Sequence, residues 1–320
     1  MTLPAGTFTV QVADVRAQAL DVMSLELRAV GGGELPPFEP GAHLDVHLPN
    51  GLVRQYSLTN DWRERDRYMI GVARVADSRG GSSFVHSGVR AGAQLTVRGP
   101  INNFALDSRA ERYLFIAGGI GVTPIMAMVR WCVANGKPWR LIYAARSRQR
   151  AAFYEELRGL ARSATQFHFD DECGQVLDVA NAIAGWNEGE WVYCCGPAPL
   201  MDAVEALTGH LPAGTVRFEW FTTPESDEPQ ESNAFKVRLE RSGVEFDIPE
   251  NKSILEVIEE NGIEHPFSCR EGLCGTCLTN VISGEPDHRD YVLSDEERES
   301  GKLMTICCSR SKSPLLTLDL

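Results

Sequence analysis

Five of the nine cysteines lie beyond residue 268, and three of these are closely spaced. The run Cys269-x4-Cys274-x2-Cys277, followed at a distance by Cys307 and Cys308, has the spacing of a plant-type [2Fe–2S] cluster loop. Each iron of such a cluster needs two thiolates, so a tight loop has to bring three sulfurs together and a distant cysteine has to supply the fourth. The chemistry predicted for this segment is one-electron transfer at low potential.

Two glycines in this loop, Gly272 and Gly275, allow the backbone to pass close enough for its N–H groups to point at sulfur. A four-cysteine zinc site is the competing interpretation, but zinc sites usually pair two Cys-x2-Cys knuckles and this loop has one. Cys307 or Cys308 can be the fourth ligand, but only one of them can serve, because neighbours in an extended segment face opposite sides. Three of the four scattered cysteines are expected to be small buried residues rather than ligands, and they are Cys132, Cys173 and Cys194.

The composition and net charge of the chain argue against nucleic-acid binding and membrane insertion. The chain has 320 residues and a net charge of −13, which argues against the basic stripe that a nucleic-acid partner requires. No segment has the roughly 20 apolar residues of a membrane span, and the N-terminus lacks the features of a secretory signal. We expect no membrane association and a cytoplasmic location, where clustered cysteines indicate a metal site rather than disulfides.

Two kinds of pattern divide the chain before residue 222. Residues 8–98 contain short alternating or apolar runs separated by glycine and proline, which favours an antiparallel barrel. From Tyr113 onward, buried apolar strands alternate with helices, which favours a parallel α/β sheet. The clearest of these later strands are predicted at 113–117, 139–145 and 191–195.

The segment from Thr222 to Ala234 is polar, acidic and proline-containing, without apolar periodicity. Such a segment suits a domain connector. Beyond it, strands at 235–239 and 244–248 predict a hairpin, and Ser253 is placed to cap an apolar helix over 254–260. The predicted fold class is therefore a multidomain chain with α+β and α/β parts.

The C-terminal segment resembles a plant-type ferredoxin of the β-grasp fold. The resemblance is carried by Pro266-Phe-Ser-Cys-Arg-Glu-Gly-Leu-Cys-Gly-Thr-Cys277, Asp287-His-Arg-Asp290 and Met304-Thr-Ile-Cys-Cys-Ser-Arg310. The whole chain is similar to the phthalate dioxygenase reductase family, which includes vanillate demethylase reductases. This resemblance implies that Cys307 is the fourth cluster ligand and that Cys308 is not. It also implies an antiparallel flavin-binding β-barrel at 1–105, a parallel-sheet NAD-binding domain at 106–225, a linker at 226–234 and a β-grasp [2Fe–2S] ferredoxin domain at 235–320.

Arg54-Gln-Tyr-Ser-Leu-Thr59 matches the flavin signature of the ferredoxin reductase superfamily. A barrel strand can present Tyr56 flat against the isoalloxazine ring, Ser57 can offer a hydroxyl near its reactive edge, and the planar fork of Arg54 suits a phosphate. The run Gly80-Gly-Ser-Ser83 is placed for a second phosphate contact, because a helix that begins there aims N–H groups at an anion. The predicted contributors from this run are Gly81, Ser82 and Ser83.

Gly118-Gly-Ile-Gly-Val-Thr-Pro124 follows the buried strand at 113–117. Pro124 fits the first helical position and Thr123 the cap before it, so this turn would open a helix whose N-terminus seats the pyrophosphate of NAD(P). Its pairing with Cys195-Gly-Pro197, at the end of a later strand, makes the prediction specific. The predicted nucleotide-binding residues are Gly119, Gly121, Thr123, Pro124, Cys195, Gly196 and Pro197.

The resemblance adds three assignments. It implies FMN in preference to FAD, and it places Cys195 beside the nicotinamide. The segment Phe218-Glu-Trp-Phe221 resembles the aromatic motif whose ring covers the flavin in this family. We take Phe221 as that ring, with Trp220 as the alternative.

The choice between NADH and NADPH depends on charge near the adenosine ribose. NADPH needs basic groups for its 2′-phosphate, and Arg146 and Arg148 follow the second strand of the α/β pattern. Similar Arg-Ser-Arg runs occur in NADH-using relatives, and Asp170-Asp171 adds negative charge. NADH is therefore favoured over NADPH.

The three predicted modules form one route for electrons. NADH delivers two electrons together as hydride, a [2Fe–2S] cluster accepts one, and a flavin can do both. Hydride is expected to pass from nicotinamide C4 to flavin N5, and single electrons then to the cluster, with Ser57, Cys195 and Phe221 at the site of hydride transfer. Such residues place redox centres rather than supply acid or base, so no catalytic triad is expected.

The resemblance also implies the electron acceptor. Family members deliver electrons to a terminal oxygenase or demethylase of the Rieske type, and we expect a transient complex with a monomeric reductase. The alternative is a redox-sensing or binding protein without sustained electron delivery, although a complete nicotinamide site argues against it. A self-contained oxygenase is disfavoured, because no two-His-one-carboxylate constellation is recognisable.

Overall fold

A computed structural model of the chain describes residues 6–75, 80–161, 163–223 and 232–320. The chain divides into two compact units, Met1–Phe221 and Thr222–Leu320. The linker predicted at 226–234 lies outside the described residues as far as position 231, and the domain boundaries stay predictions. Within the described residues, no helix has the length and apolar character needed to cross a bilayer.

The first unit begins with an antiparallel sheet. Its elements are β1 (Thr7–Ala19), β2 (Val22–Ala29), β3 (His43–His47), β4 (Val53–Ser57), β5 (Tyr68–Ala73), helix α1 (Gly81–Gly88) and β6 (Gln94–Ile101). The strand order is β4-β3-β6-β1-β2-β5. The two outer strands meet again just beyond β4, where Leu58 bridges to Ile70 and the Thr59 N–H donates to the Met69 carbonyl at 2.9 Å. This contact closes the sheet into the predicted barrel around an apolar core.

A parallel sheet follows in the same unit. Its elements are β7 (Arg112–Gly118), α2 (Val122–Asn135), β8 (Trp139–Ala145), α3 (Tyr154–Ala161), β9 (Thr165–Phe169), α4 (Asp170–Cys173), α5 (Val179–Ile183), β10 (Glu190–Cys195), α6 (Ala198–Thr208) and β11 (Val216–Glu219). The order β11-β10-β7-β8-β9 shows that the chain first adds strands on one side of β7 and then on the other. Ligands of open α/β sheets bind where the order reverses, here between the carboxyl ends of β7 and β10.

A close contact inside the first unit fixes the barrel against the parallel sheet. A Cβ added to Gly71 of β5 would lie 2.8 Å from Thr123 Cγ2 and 3.2 Å from the Phe153 ring. Phe153 is buried and has a φ of 57°, a left-handed conformation that costs of order 1–3 kcal/mol for a non-glycine residue. The surrounding packing holds this conformation, and β5 therefore lies directly against the start of α2.

The second unit is a mixed sheet crossed by one longer helix. Its elements are β12 (Phe235–Leu239), β13 (Glu245–Ile248), α7 (Ile254–Glu260), β14 (Leu278–Ser283), β15 (Pro286–Asp287), α8 (Asp295–Ser300), β16 (Leu303–Thr305), β17 (Arg310–Ser311) and β18 (Leu315–Leu318). The order β13-β12-β18-β14-β16, with β12 and β18 parallel, is the predicted β-grasp arrangement. The predicted cap of α7 is confirmed, because Ser253 and Glu256 form a reciprocal capping box. The helix packs its apolar side on a core that includes Cys277 and Cys307.

Candidate functional site

The carboxyl ends of β7 and β10 lie side by side, since Cys195 is paired with Ala117. The two turns that follow these strands touch through their backbones. A Cβ on Gly121 would lie 2.2 Å from the Cys195 carbonyl oxygen, and a Cβ on Gly196 would lie 3.1 Å from Gly118 Cα. Only glycine at positions 121 and 196 allows the two backbones to lie this close. The close contact brings together the two turns predicted to hold NAD(P).

The start of α2 differs from the prediction. The helix begins at Val122 with Gly121 as its N-cap, so Pro124 lies inside the first turn rather than at its first position. Thr123 is not the cap, because its hydroxyl donates to the Ile120 carbonyl at 2.8 Å. The reason is a short 3₁₀ turn over Gly119–Gly121 that runs directly into the helix and moves its start forward. No side chain caps α2, so its first turn can still present N–H groups to an anion.

Three strand ends converge beside these turns. Ser57 ends β4, Cys195 ends β10, and Glu219 ends β11 opposite Cys195. Ser57 Oγ lies 3.5 Å from Glu219 Oε2. Burial raises the pKa of Glu219 to about 8, against the opposing hydrogen bond from Ser57. Burial, and then the nearby Glu219, also raise the pKa of the Cys195 thiol well above its ordinary value. At neutral pH the three groups are therefore uncharged, with a proton held on the Glu219 carboxyl.

Glu219 is the functional candidate that the sequence prediction missed. It lies inside the segment Phe218–Phe221, from which only the aromatic rings were selected. The signal that could have identified it is a single acidic residue in an otherwise aromatic run at the end of a strand. A carboxyl group in such a place needs a polar partner, and Ser57 supplies one from a strand 162 residues earlier.

The two aromatic candidates in this segment have different environments. Trp220 packs against an apolar cluster of the parallel sheet that includes Val192 and Met201. Phe221 is 40% exposed and lies two residues beyond Glu219. Of the two rings, Phe221 is thus the exposed one, and it follows closely in sequence on Glu219.

The predicted flavin residues of β4 and α1 are also brought together. Arg54 and Tyr56 alternate along β4 and share one face, whereas Ser57 takes the other. A Cβ on Gly81 would lie 2.5 Å from Arg54 Nε, so the Arg54 side chain crosses the first turn of α1. The N-cap of α1 is Gly80, with a φ of 88° and no side-chain cap. A guanidinium and a helix N-terminus therefore meet at one place, as a phosphate site requires.

The remaining residues of this group have distinct surroundings. Ser82 is buried, and its hydroxyl accepts the Val75 N–H at 3.3 Å, which leaves its own hydrogen to donate. Ser83 is exposed on the first turn. Burial raises the pKa of Tyr56 to about 12, so this phenol stays neutral.

The cysteine loop of the second unit surrounds its sulfurs with donors. The backbone N–H groups of Glu271 and Leu273 donate to Cys269 Sγ at 3.3 and 3.4 Å. The Thr276 N–H donates to Cys274 Sγ at 3.4 Å. The Cys274 and Cys307 thiols, with these N–H groups, hold the pKa of Cys269 far below its ordinary value. The loop is thus built to stabilise negative charge on sulfur.

The predicted ligand sulfurs influence one another. The Cys274 and Cys307 thiols lower the pKa of Cys269, and the Cys307 thiol lowers the pKa of Cys277. Among the described residues, no three His, Cys, Asp or Glu side chains converge on a single metal position. A two-iron cluster divides four thiolates between two irons, so it requires pairs rather than a single focus.

Cys307 and Cys308 lie in a turn over residues 306–308, not in an extended segment. The premise that these neighbours lie in an extended segment is therefore wrong. Cys307 is 8% exposed and packs in the core of the unit, whereas Cys308 is half-buried. The choice of Cys307 as ligand stays a prediction.

Of the scattered cysteines expected to be buried, Cys132 and Cys194 are buried, which confirms the expectation. It is wrong for Cys173, which is exposed at the end of α4.

Comparison with family models covers both the parallel sheet and the cysteine loop. Residues 115–206 match the oxidoreductase NAD-binding domain, and residues 237–312 match the 2Fe-2S iron-sulfur cluster binding domain. The second match excludes the zinc interpretation of the cysteine loop.

Full-length relatives extend these matches. The chain is 47% identical to the phenoxybenzoate dioxygenase subunit beta of Ectopseudomonas oleovorans, over 94% of this chain and 93% of the relative. It is 43% identical to the phthalate dioxygenase reductase of Burkholderia cepacia, over 100% of both chains. The solved structure of a phthalate dioxygenase reductase, described as modular for electron transfer from pyridine nucleotides to [2Fe-2S], matches with a TM-score of 0.73 at 43% identity over 98% of both chains.

The chain belongs to the phthalate dioxygenase reductase family. Another solved structure, an intact type IV self-sufficient cytochrome P450 monooxygenase, matches with a TM-score of 0.92 at 36% identity. It covers 100% of this chain, which spans only 43% of that longer protein.

In this reductase, charge near the end of β9 is balanced. Arg148 forms two hydrogen bonds to the Glu172 carboxylate, both at 3.0 Å, and stacks on the Phe169 ring. The Asp171 N–H donates to the Arg146 carbonyl at 3.2 Å, which places the acidic start of α4 beside the two arginines. Of the two arginines that could meet a 2′-phosphate, Arg148 is thus already paired with a carboxylate.

The contact between the two glycine turns gives a testable prediction for this reductase. Gly121→Ala places a methyl group against the Cys195 carbonyl, so the turns must separate, at a cost of about 1–3 kcal/mol. We expect the KM for NADH to rise roughly tenfold or more in steady-state reduction of ferricyanide. Gly159→Ala on α3 is the control, because its Cβ would meet nothing within 4 Å. An unchanged KM in Gly121→Ala would show that the two turns do not form the nucleotide site.

Proposed function

We propose that this chain is the NADH-dependent reductase component of a Rieske-type oxygenase or demethylase system. The observation that carries the proposal is the convergence of Ser57 from the barrel with Cys195 and Glu219 from the parallel sheet. The barrel is proposed to hold the flavin and the parallel sheet the nicotinamide, so the two would meet at this site. The cysteine loop of the second unit would hold the cluster from which electrons leave the protein.

FMN and a [2Fe–2S] cluster are the proposed resident groups. When bound, the flavin accepts hydride from NADH and releases electrons one at a time, and the cluster carries them singly. Arg54 and the first turn of α1 are proposed to bind the single terminal phosphate of FMN, with Gly81, Ser82 and Ser83 lining it. Tyr56 would lie against the ring, and Phe221 would cover it. The layout of the family supports FMN over FAD.

The nicotinamide is proposed to enter beside Cys195, between the turns that carry Gly119, Gly121, Gly196 and Pro197. The first turn of α2, with Thr123 and Pro124, would face the pyrophosphate. The acidic start of α4 beside Arg146 and Arg148 supports NADH over NADPH, since negative charge there disfavours a 2′-phosphate. Ser57 and Glu219 are proposed to orient the reacting edges and to exclude water.

The cluster is proposed to bind through Cys269, Cys274, Cys277 and Cys307. Backbone N–H groups around these sulfurs would stabilise the added electron. Cys269 is the least buried of the four, which suits a role on the side where electrons leave. A protein acceptor is proposed because relatives carry names of dioxygenase and demethylase systems. A net charge of −13 suits a transient, electrostatically steered complex with a monomeric reductase. A cytoplasmic location is also proposed, since all nine cysteines are free.

An anaerobic titration tests the proposal. Addition of NADH to the purified, cofactor-loaded chain is expected to reduce the visible absorbance of both flavin and cluster. If the flavin were reduced while the cluster stayed oxidised, the proposed route would be wrong. Sustained NADH-dependent reduction of cytochrome c separates a reductase from a redox sensor, which would be reduced once and then stop.

A further inference from the structure

A row of polar side chains crosses three strands of the barrel beside the proposed flavin residues. Asp45 of β3 lies opposite Gln55 of β4 on one side and opposite Arg98 of β6 on the other. Asp45 is 1% exposed, so its carboxylate depends on these neighbours for hydrogen bonds. Arg98 donates to Asp45 Oδ2 at 2.7 and 3.1 Å, and Gln55 Nε2 donates to Asp45 Oδ1 at 2.9 Å. Each carboxylate oxygen thus has a donor from a different strand.

The Gln55 amide bridges two residues of β3. Its Nε2 atom lies 3.0 Å from His43 Nε2 as well as 2.9 Å from Asp45 Oδ1. A carboxylate oxygen only accepts and an amide nitrogen only donates, so the amide has one orientation and His43 Nε2 is an acceptor. Both hydrogens of the Gln55 amide are therefore directed at β3, where His43 and Asp45 are buried.

Gln55 lies between the two residues of β4 that are proposed to bind FMN. Side chains alternate along a strand, so Gln55 points to the face opposite to the one that Arg54 and Tyr56 share. β4 is an outer strand in the order of the sheet, where it pairs with β3. An outer strand has backbone partners along one side, so the side-chain bonds of Gln55 contribute more to its position than they would within a sheet.

We propose that Gln55 is a positioning residue for the flavin, which fixes β4 against β3 and thereby places Arg54 and Tyr56 for the cofactor. The inference rests on the proposed binding of FMN along β4. A phosphate contact and a stacked ring both depend on distance and angle, so a small shift of the strand weakens both at once. Gln55 acts through its two neighbours in sequence and not by contact with the flavin on their face.

The test measures the dissociation constant of FMN for the full-length protein, by adding flavin-free protein to FMN and following the flavin fluorescence. Gln55→Leu takes a donor from both Asp45 and His43 and is expected to weaken FMN binding roughly tenfold, about 1.4 kcal/mol. Gln55→Asn keeps the amide but is one methylene shorter, so it cannot reach both acceptors and a smaller loss is expected. Gln94→Leu, the same change at an exposed position of β6, is the control and is expected to leave the dissociation constant unchanged.

A double variant separates positioning from a general loss of stability. If Gln55 acts through Arg54, the combined effect of Arg54→Ala and Gln55→Leu is expected to be smaller than the product of the two single effects. Equal FMN affinity in Gln55→Leu and the native chain, or effects that multiply fully in the double variant, would overturn the proposal. Failure of both Gln55 variants to fold would also overturn it, because Gln55 would then hold the whole barrel rather than β4. Absence of FMN binding in the native chain would refute the proposed function and this inference with it.

Discussion

Cys277→Ala is expected to abolish NADH-dependent reduction of cytochrome c and to leave NADH-dependent reduction of ferricyanide largely intact. Cys277 is 2% exposed and is one of the four proposed ligands, so its removal would leave one iron of the cluster with a single protein thiolate. The first unit has its own cores and is expected to remain folded, with its flavin and nicotinamide sites. Two-electron oxidation of NADH would therefore continue, while the one-electron outlet would be missing.

The measurement compares both acceptors with the visible absorbance of the purified variant. Cys173→Ala is the matched control, because it removes an exposed thiol far along the chain from the loop. Loss of both activities would point to unfolding of the whole chain, and retention of the cluster signal with full cytochrome c reduction would refute the ligand assignment.

Glu219→Gln is expected to remove the pH dependence of flavin reduction by NADH. In the native protein the Glu219 carboxyl is protonated below its pKa of about 8 and becomes a carboxylate above it. A carboxylate 3.5 Å from Ser57 Oγ would add negative charge beside the proposed site of hydride transfer, so the rate constant is expected to fall roughly tenfold as pH rises through this value, about 1.4 kcal/mol of barrier. Glutamine stays neutral, and its profile is expected to be flat.

Stopped-flow reduction between pH 6 and 10 measures this effect, with the exposed Glu205→Gln of α6 as a control that changes the same charge elsewhere. If Glu219→Gln kept the fall in rate near pH 8, another group would be responsible.

The same residue predicts a change of stability with pH. Burial raises the pKa of Glu219 in the folded chain from its ordinary value of 4.5, so this carboxyl ionises first in the unfolded chain as pH rises. The stability contribution of this group is complete below about 4.5 and is lost progressively as pH rises through the folded-state value near 8. The thermal stability of Glu219→Gln relative to the native protein is therefore expected to increase over this range and to level off above it.

Local features of this protein were determined by the sequence. The Cys-x4-Cys-x2-Cys loop needs only nine consecutive residues, from Cys269 to Cys277, and its spacing predicted the cluster domain that the family model confirms. The capping box of Ser253 and Glu256 is likewise complete within four residues. Both depend on short-range geometry, which neighbouring residue types define directly.

Other features were decided by tertiary structure. The 3₁₀ turn before α2 moved the helix start ahead of Thr123, and residues 306–308 form a turn where an extended segment was expected. Residue types alone reveal neither feature. Glu219 became a candidate only because the barrel places Ser57 beside it, 162 residues away along the chain. A pKa raised by burial depends on what surrounds the carboxyl, and those surroundings come from strands of two different sheets. The sequence by itself thus determined which cofactors the chain can hold, whereas the packing of barrel against parallel sheet decided which side chains meet where they react.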